Sequence, residues 1–410
     1  RLPATLGEAL ERLPDANLAV ISVPGDYAAL EAHKALSAGL HVLLFSDNVP
    51  VDAEIELKER AARLGLLVMG PGAGTAVLGG TCLGFANVTR PGRIAVVAAA
   101  GTGAQEVASL VDRWGVGVSR IIGLGGRDLS EAVGGRMASV AVRGLATDPD
   151  TDVILLVSKP PAPDVARRVI AEAAGKPLVA ALIGVAAEFP APTGVVVTRT
   201  LEAGAAAAVR LAGKAVPDVA EGLVERVRSL AGSLDPGRTL VRGLFSGGTL
   251  CYESLVVLAT ALGPVYSNTP LDPSLGPPVP AQAHSCLDLG EEEYTKGHPH
   301  PMIDPEARIK LLRAEADNPD VAAIILDVVL GHGAHPDPAG ALAPVCAEIT
   351  AGGPKIVAYV LGTDSDPQDY ASQRGRLESA GCLVTETAAR ASLAAAALAT
   401  RQPELAGRSL

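Results

Sequence analysis

Two short turns that contain a Gly-Thr pair are the clearest chemical feature of the sequence. One follows the apolar run RIAVVAAA, the other follows LVRGLF, and each leads into a helical pattern with glutamate four residues after the threonine. Such a turn directs backbone N–H groups outward at the positive end of a helix dipole, where an anion can bind. Alternatively, glycine permits a tight turn and threonine caps the helix. The phosphate-binding interpretation assigns that role to Gly101, Thr102, Gly103, Ser246, Gly247, Gly248 and Thr249.

Histidines supply a second set of candidate residues. Five of the seven lie beyond residue 280, and in GHPHPMIDP two of them are separated by one residue, so they face the same way in an extended segment. With a third histidine they could ligate a metal or act as acid and base, or the segment could be an ordered structural loop. We predict no metal site, and the candidates for proton transfer are His298, His300 and His332.

Three charged residues stand at the ends of predicted strands and are candidates for substrate binding. Lys159 follows VILLVS and could contact an anion or be a solvated loop residue. Arg127 follows GLGG and could hold a carboxylate or form an ion pair with Asp128. Asp327 interrupts an apolar strand and needs partners if buried, either a neighbouring loop or a substrate.

Apolar runs of strand length alternate with amphipathic helical stretches, which is typical of βαβ units. The apolar share is 48% with 3% aromatic residues, a composition that suits parallel sheets covered by helices. We therefore predict an α/β fold with a small domain at 1–68, doubly wound domains at 69–213 and 238–410, and a polar linker at 214–237. Helices are expected near residues 26–39 and 52–65.

Charge and hydropathy exclude several classes of partner. A net charge of −11 opposes nucleic-acid binding, and no apolar window is long enough to span a membrane. Five scattered cysteines without a C-x-x-C pair argue against a disulfide framework and fit a reducing compartment. We expect a soluble, cytoplasmic protein that binds neither nucleic acid nor membrane.

The duplicated turns resemble those of succinyl-CoA synthetase and other NDP-forming acyl-CoA synthetases. The blocks MGPGAGTAVLG, PGRIAVVAAAGTGAQE and GLGGRD are similar to that α-subunit, and GLFSGGTLCYE and VAAIILDVVLGHG are similar to the carboxyl domain of the β-subunit. The strings VSKPPAP, YTKGHPHPMIDP and LDVVLGHGAHPDPAG resemble signatures of the FdrA family. This resemblance implies a Rossmann-like CoA-binding-type domain followed by two flavodoxin-like ligase domains.

The sequence departs from the ligases where their chemistry takes place. The ligases use a phosphohistidine in the second domain, whereas this chain has no histidine between His41 and His284. Ser158, Lys159 and two prolines stand where the ligases place an orienting glutamate. The chain enters directly at the helix TLGEALERL. The strand and Gly-rich loop expected for CoA either lie upstream of Arg1 or the CoA site is incomplete, so we predict no certain cofactor, with CoA as the one candidate.

The resemblance to FdrA implies a subunit of an oxamate carbamoyltransferase-like enzyme of purine catabolism. Its substrates would be carbamoyl phosphate, an acyl phosphate, and a carboxylate or amide acceptor. We expect companion carbamoyltransferase subunits and an oligomer. Two alternatives stay open: an NDP-forming acyl-CoA synthetase whose carrier histidine lies in the third domain, and a non-catalytic scaffold subunit.

Overall fold

The computed structural model describes residues 2–186 and 189–410. It divides into two compact units. The first unit contains Arg1–Gly84, Pro91–Ala104 and Val118–Thr198, and the second contains Phe85–Arg90, Gln105–Gly117 and Arg199–Leu410. The strands of the described residues form sheets of three, seven and six strands. The predicted domain boundaries at residues 68, 213 and 237 stay a prediction.

The smallest sheet lies at the start of the first unit and is parallel, in the order β1-β2-β3. Its strands are β1 (Leu18–Ile21), β2 (His41–Leu44) and β3 (Val68–Met69), and its helices are α1 (Leu6–Arg12), α2 (Gly25–Ser37) and α3 (Val51–Leu64). Helices α2 and α3 agree with the predicted ranges to within two residues. Helix α3 ends where Gly65 takes a left-handed φ of 68°.

The seven-stranded sheet also belongs to the first unit. Its strands are β4 (Thr75–Leu78), β5 (Thr81–Gly84), β6 (Pro91–Ala99), β7 (Val118–Gly123), β8 (Val153–Ser158), β9 (Leu178–Leu182) and β10 (Val195–Thr198). The order is β10-β9-β8-β6-β7-β4-β5. Strands β6 to β10 are parallel in the flavodoxin-like order 2-1-3-4-5, and the antiparallel hairpin of β4 and β5, which the sequence analysis missed, extends the β7 edge.

Five helices accompany or follow this sheet along the chain. They are α4 (Gly101–Arg113), α5 (Arg136–Ala146), α6 (Pro163–Ala171), α7 (Leu201–Leu211) and α8 (Leu223–Ala231). Helix α8 lies within the segment predicted as a linker, residues 214–237. Its buried residues, Leu223 and Val227, are four apart and so share one face of the helix. The polar composition of the segment concealed this short apolar stripe.

The six-stranded sheet of the second unit is parallel throughout, in the order β12-β13-β11-β14-β15-β16. Its strands are β11 (Leu240–Phe245), β12 (Val265–Tyr266), β13 (His284–Asp288), β14 (Val321–Val329), β15 (Lys355–Leu361) and β16 (Leu383–Thr385). Apart from the short edge strand β12, this is again the order 2-1-3-4-5. The predicted α/β fold with two flavodoxin-like domains is confirmed.

The remaining helices belong to the second unit. They are α9 (Gly248–Leu262), α10 (Glu292–Thr295), α11 (Glu306–Ala316), α12 (Pro338–Thr350), α13 (Tyr370–Ser379) and α14 (Ala388–Thr400), with 3-10 turns at Pro273–Leu275 and Pro403–Gly407. Strand β14 is buried at every residue, which explains its nearly continuous apolar run. Of the helices in residues 2–186 and 189–410, none is both long and apolar enough to cross a membrane.

Candidate functional site

The turn at Gly101–Gly103, called here the Gly101 turn, joins β6 to α4. Ala104 N donates to Ala100 O at 2.9 Å, and the amides before Ala104 lie in the first turn of the helix, where they have no acceptor within the helix itself. Gly101 is exposed, whereas Thr102 is only 8% exposed. Gly103 is buried as well, so the part of this turn that is open to solvent is Gly101.

Strand β8 lies beside β6 and brings a second predicted residue to the same edge. Ala99 pairs with Ser158, the last residue of β8, and Lys159 follows it. In the order 2-1-3-4-5, the strand order reverses between β6 and β8, which is where ligands bind in open α/β sheets. The structure thus brings the Gly101 turn and the start of the Lys159 loop to adjacent positions at this switch point.

Arg127 has an internal partner instead of an open carboxylate-binding fork. Its Nε donates to Glu54 Oε2 at 2.8 Å and an Nη atom donates to Val49 O at 2.8 Å. The contacts differ from the alternative of a mutual ion pair with Asp128: Arg127 pairs with Glu54, and Asp128 accepts from Lys58 Nζ at 2.8 Å. Asp128 is adjacent to Arg127 in sequence, but its carboxylate pairs with a side chain from another element of the fold.

Lys58 is the centre of this buried charge network and was not singled out from sequence. It is 0% exposed and donates to Glu54 Oε1, Asp128 Oδ1 and Leu124 O at 2.8, 2.8 and 2.9 Å. Asp128 also accepts from Ala138 N, in the first turn of α5, at 2.9 Å. The network fixes α3 against the loop after β7, so the contacts of Arg127 favour a structural role, and its predicted substrate contact stays a prediction.

The turn at Ser246–Thr249, called here the Ser246 turn, joins β11 to α9 in the second unit. Asp327 on the neighbouring strand β14 accepts from Ser246 N at 2.8 Å, Ser246 Oγ at 3.1 Å and Gly247 N at 2.7 Å. Asp327 is 0% exposed. The two amides predicted to bind phosphate therefore already bind an internal carboxylate, and a phosphate would have to displace it.

A buried cation completes the surroundings of Asp327. An Nη atom of Arg308, on α11, lies 3.1 Å from Asp327 Oδ1 and also donates to the Asp327 carbonyl. Arg308 is 2% exposed, and burial lowers the pKa of its guanidinium while the charge of Asp327 raises it. Sequence analysis missed Arg308, because an arginine on a helix ordinarily has a solvated head group.

A second carboxylate, Asp288, lies near the N-terminus of α9. It ends β13 and is 3% exposed, and its Oδ2 is 2.3 Å from the point where a Cβ on Gly248 would lie. Its Oδ1 accepts from Gly290 N at 2.9 Å. A side chain at Gly248 would collide with this carboxylate, which explains the glycine at that position.

His300 is the predicted histidine that the structure places near the Ser246 turn. A Cβ on Gly290 would lie 2.8 Å from His300 Nε2, 3.1 Å from Asp288 Oδ1 and 3.4 Å from Ser246 O. The Nδ1 atom of His300 accepts from Met302 N at 3.2 Å. Burial lowers the pKa of His300, and the charge of Asp327 opposes that shift. A neutral, partly buried imidazole beside carboxylates can accept or relay a proton.

His298 and His332 differ from His300 in being exposed. His298 is exposed and lines a surface cleft with Tyr294 and Lys310. His332 is exposed and its backbone forms an isolated bridge with Ala86. Among the residues that the structure describes, no group of three or more His, Cys, Asp or Glu side chains could hold a metal ion. The role of each histidine stays a prediction.

Strand register allows the two turns to be compared position by position. Val97 and Leu244 occupy equivalent positions, because each lies five residues before the threonine of its turn. Val97 pairs with Leu156 and Leu244 pairs with Leu326, so the residues that follow these partners, Val157 and Asp327, are equivalent as well. In the same way Ala98 pairs with Gly123 and Phe245 pairs with Asp288. Both carboxylates that surround the Ser246 turn are therefore replaced at the Gly101 turn, one by valine and one by glycine.

Comparison with known proteins gives matches over nearly the whole chain. Residues 244–398 match the CoA-ligase family model. The Uncharacterized protein YahF of Escherichia coli (strain K12) is 42% identical over 407 residues, which is 96% of this chain and 78% of YahF. Succinate–CoA ligase [ADP-forming] subunit alpha 2 of Archaeoglobus fulgidus is 30% identical over 152 residues, covering 36% of this chain and about half, 52%, of that subunit.

One solved structure is also similar to part of the chain. The structure of ATP citrate lyase from Methanothrix soehngenii in complex with citrate and coenzyme A matches with a TM-score of 0.39 and 20% identity, over 52% of this chain and 38% of that chain.

Proposed function

The chain belongs to the family of YahF, with the acyl-CoA synthetase-like fold that its CoA-ligase match indicates, and from this premise we propose that it is an FdrA-type subunit of a carbamoyltransferase. In this proposal the Gly101 turn binds the phosphate of an acyl phosphate such as carbamoyl phosphate. The reaction would transfer the carbamoyl group to an amide nitrogen such as that of oxamate, within an oligomer that includes companion subunits.

The observation that carries the proposal is the contrast between the two turns. At the Ser246 turn, Asp327 accepts from two buried backbone amides, Ser246 N and Gly247 N. At the Gly101 turn, the equivalent position is Val157, and the strand on the other side ends in Gly123 instead of Asp288. Lys159 follows the neighbouring strand β8 and adds positive charge. This combination favours an external anion at the Gly101 turn.

Carbamoyl transfer suits a protein without a phosphohistidine carrier. The acceptor nitrogen attacks the carbonyl carbon of carbamoyl phosphate, the C–O bond to phosphate breaks, and phosphate leaves with the bonding electron pair. A base takes the proton from the nitrogen. The requirements are charge stabilisation of the leaving phosphate and positioning of the two substrates, which helix amides and a lysine can supply without a covalent intermediate.

Within the second unit, His300 is the one of the three predicted histidines whose surroundings suit a base. Its pKa is lowered by burial, so the imidazole is neutral and able to accept a proton at pH 7. Asp288 lies near its Nε2 atom, as the shared contact with the Cβ position of Gly290 indicates. His298 and His332 remain weaker candidates, since both are exposed.

The second candidate function is an NDP-forming acyl-CoA synthetase, because the relatives include a succinate–CoA ligase α-subunit and the chain matches a CoA-ligase model. It would require a carrier histidine from the third domain, since residues 42–283 contain none. Formation of phosphohistidine after incubation with ATP would support this function over carbamoyl transfer. A scaffold subunit without either activity would bind none of these ligands.

Calorimetric titration with carbamoyl phosphate tests the proposal, with CoA and ATP as comparison ligands. Thr102→Val should weaken carbamoyl phosphate binding roughly 10- to 100-fold, as expected for loss of a hydrogen bond to a charged group. Thr249→Val is the matched control in the Ser246 turn and should change the affinity less than about threefold. Equal effects of the two substitutions, or binding of CoA and ATP alone, would contradict the proposal.

A further inference from the structure

Each Gly-Thr turn is followed by a glutamate at the equivalent position, Glu106 on α4 and Glu253 on α9. From sequence these residues suit the helix dipole, where a carboxylate near the N-terminus is favourable. In the structure they are 0% and 1% exposed. Both belong to the second unit, and their complete burial requires an explanation other than the dipole.

Each carboxyl group uses one oxygen and leaves the other without a partner. Glu106 Oε2 accepts from the Tyr359 hydroxyl, and Glu253 Oε1 accepts from Leu201 N, at the start of α7, at 2.6 Å. Among the described residues, Glu106 Oε1 and Glu253 Oε2 have no hydrogen-bond partner. A buried carboxylate oxygen without a donor is costly when ionised and much less costly as the hydroxyl of a neutral acid.

The charged groups around the pair compensate at most one negative charge. Glu202 on α7 faces both glutamates, but it is already paired with Arg390 on α14, 2.6 Å away. Arg113, also on α4, stabilises ionised Glu106 and additionally donates to Glu386 O at 2.8 Å. The backbone of Ala388, at the start of α14, also favours ionised Glu106, whereas no cation is among the described groups that act on Glu253.

We propose that the two buried carboxyl groups, Glu106 and Glu253, together retain at least one proton at neutral pH and make the stability of the second unit depend on pH. The proton would reside on an oxygen that lacks a donor, with Glu253 as its main site. This inference concerns the fold of the second unit and does not rest on the proposed function.

The direction of the pKa shifts agrees with this geometry. Burial raises the pKa of Glu106 to about 7, against the opposing effects of the Tyr359 hydrogen bond and Arg113. Burial, and then the charge of Glu106, raise the pKa of Glu253 well above the ordinary value. In the unfolded chain both groups ionise by about pH 5. The folded state therefore binds more protons than the unfolded state between pH 5 and 7, and its stability falls as pH rises through that range.

Urea unfolding of the full chain at several pH values tests the proposal. Trp114, the only tryptophan in the chain, lies in the second unit, so its fluorescence reports on unfolding of that unit. For each retained proton, the unfolding equilibrium constant should rise about tenfold per pH unit. Glu253→Gln keeps an oxygen that can accept from Leu201 N and removes one titrating group. Between pH 5 and 7 it should therefore lower the slope of the logarithm of the unfolding equilibrium constant against pH by about one.

The matched control is Glu292→Gln, which changes an exposed glutamate of the same unit and should leave the slope unchanged. Equal slopes in wild-type protein and Glu253→Gln would overturn the proposal. If that variant fails to fold, infrared spectra of the folded wild-type protein at pH 7 test whether a carboxyl group is protonated. A protonated-carboxyl C=O band that disappears on unfolding supports the pair, and its absence from the folded protein overturns it.

Discussion

The Gly101 turn and the Ser246 turn have the same position in the same sheet topology, yet they differ in the charge that surrounds them. The Ser246 turn faces the buried carboxylate of Asp327, and Asp288 lies near Gly248. At the Gly101 turn the equivalent positions are Val157 and Gly123. The duplicated turn therefore occurs in two surroundings: beside buried carboxylates in the second unit, and beside valine and glycine at the equivalent strand positions in the first unit.

The largest expected effect concerns the internal anion. Asp327→Ala removes the acceptor of Ser246 N and Gly247 N and leaves Arg308 as a buried, unpaired cation. Breaking a buried pair in this way costs about 3–5 kcal/mol. Urea unfolding followed by Trp114 fluorescence should show this loss. Asp364→Ala, at an exposed position, is the control and should cost less than about 0.5 kcal/mol. A cost of Asp327→Ala no larger than the control's would show that the carboxylate does not stabilise the Ser246 turn.

The next prediction installs the same carboxylate at the other turn. Val157→Asp places an internal anion where β8 passes the Gly101 turn, and it should reduce carbamoyl phosphate affinity by more than about tenfold through like-charge repulsion. Val157→Asn has nearly the same shape without the charge and serves as the control for folding and packing. Calorimetry of both variants, with thermal unfolding to confirm that they fold, makes the comparison. An equal loss in the two variants would mean that packing, not charge, is responsible.

A smaller effect is expected from the lysine beside the Gly101 turn. Lys159 is partly exposed, so its charge should contribute at most about 1 kcal/mol, and Lys159→Gln should weaken phosphate binding about three- to fivefold. The effect should shrink at high salt, because screening weakens interactions between solvated charges. Lys159→Arg should preserve most of the affinity. A salt-independent loss in Lys159→Gln would argue that this side chain acts through structure.

The smallest predicted effect is proton uptake by Glu106 when an anion binds at the N-terminus of α4. On α4, Glu106 follows Thr102 by four residues, and its pKa is raised to about 7, mainly by burial. An anion at the N-terminus of α4 should raise this pKa further, so binding at pH 7 should take up less than one proton. Calorimetry in buffers of different ionisation enthalpy measures the uptake. In Glu106→Gln only the proton exchange of the ligand itself should remain. The same proton uptake in both proteins would exclude Glu106 as the group that takes up the proton.

Several site features could be predicted from sequence, and others could not. The apolar runs before each Gly-Thr turn placed both turns correctly between a strand and a helix, because buried parallel strands have an unmistakable composition. Asp327 was recognisable as a carboxylate in an apolar strand, and Asp288 in CLDLG carried the same signal. Arg308 and Lys58 were not recognisable, since each lies in an ordinary helical charge pattern and is buried only because another element covers it.

The sequence by itself determined the α/β class, most of the strands, the duplicated turns and the absence of histidine from residues 42–283. These properties depend on local composition and spacing, which a single chain displays directly. Only the tertiary structure decided which turn faces carboxylates, because that depends on which strands are neighbours and in what register. The same holds for Glu106 and Glu253: their first-turn positions were visible in the sequence, but their burial arises from helices and strands distant along the chain.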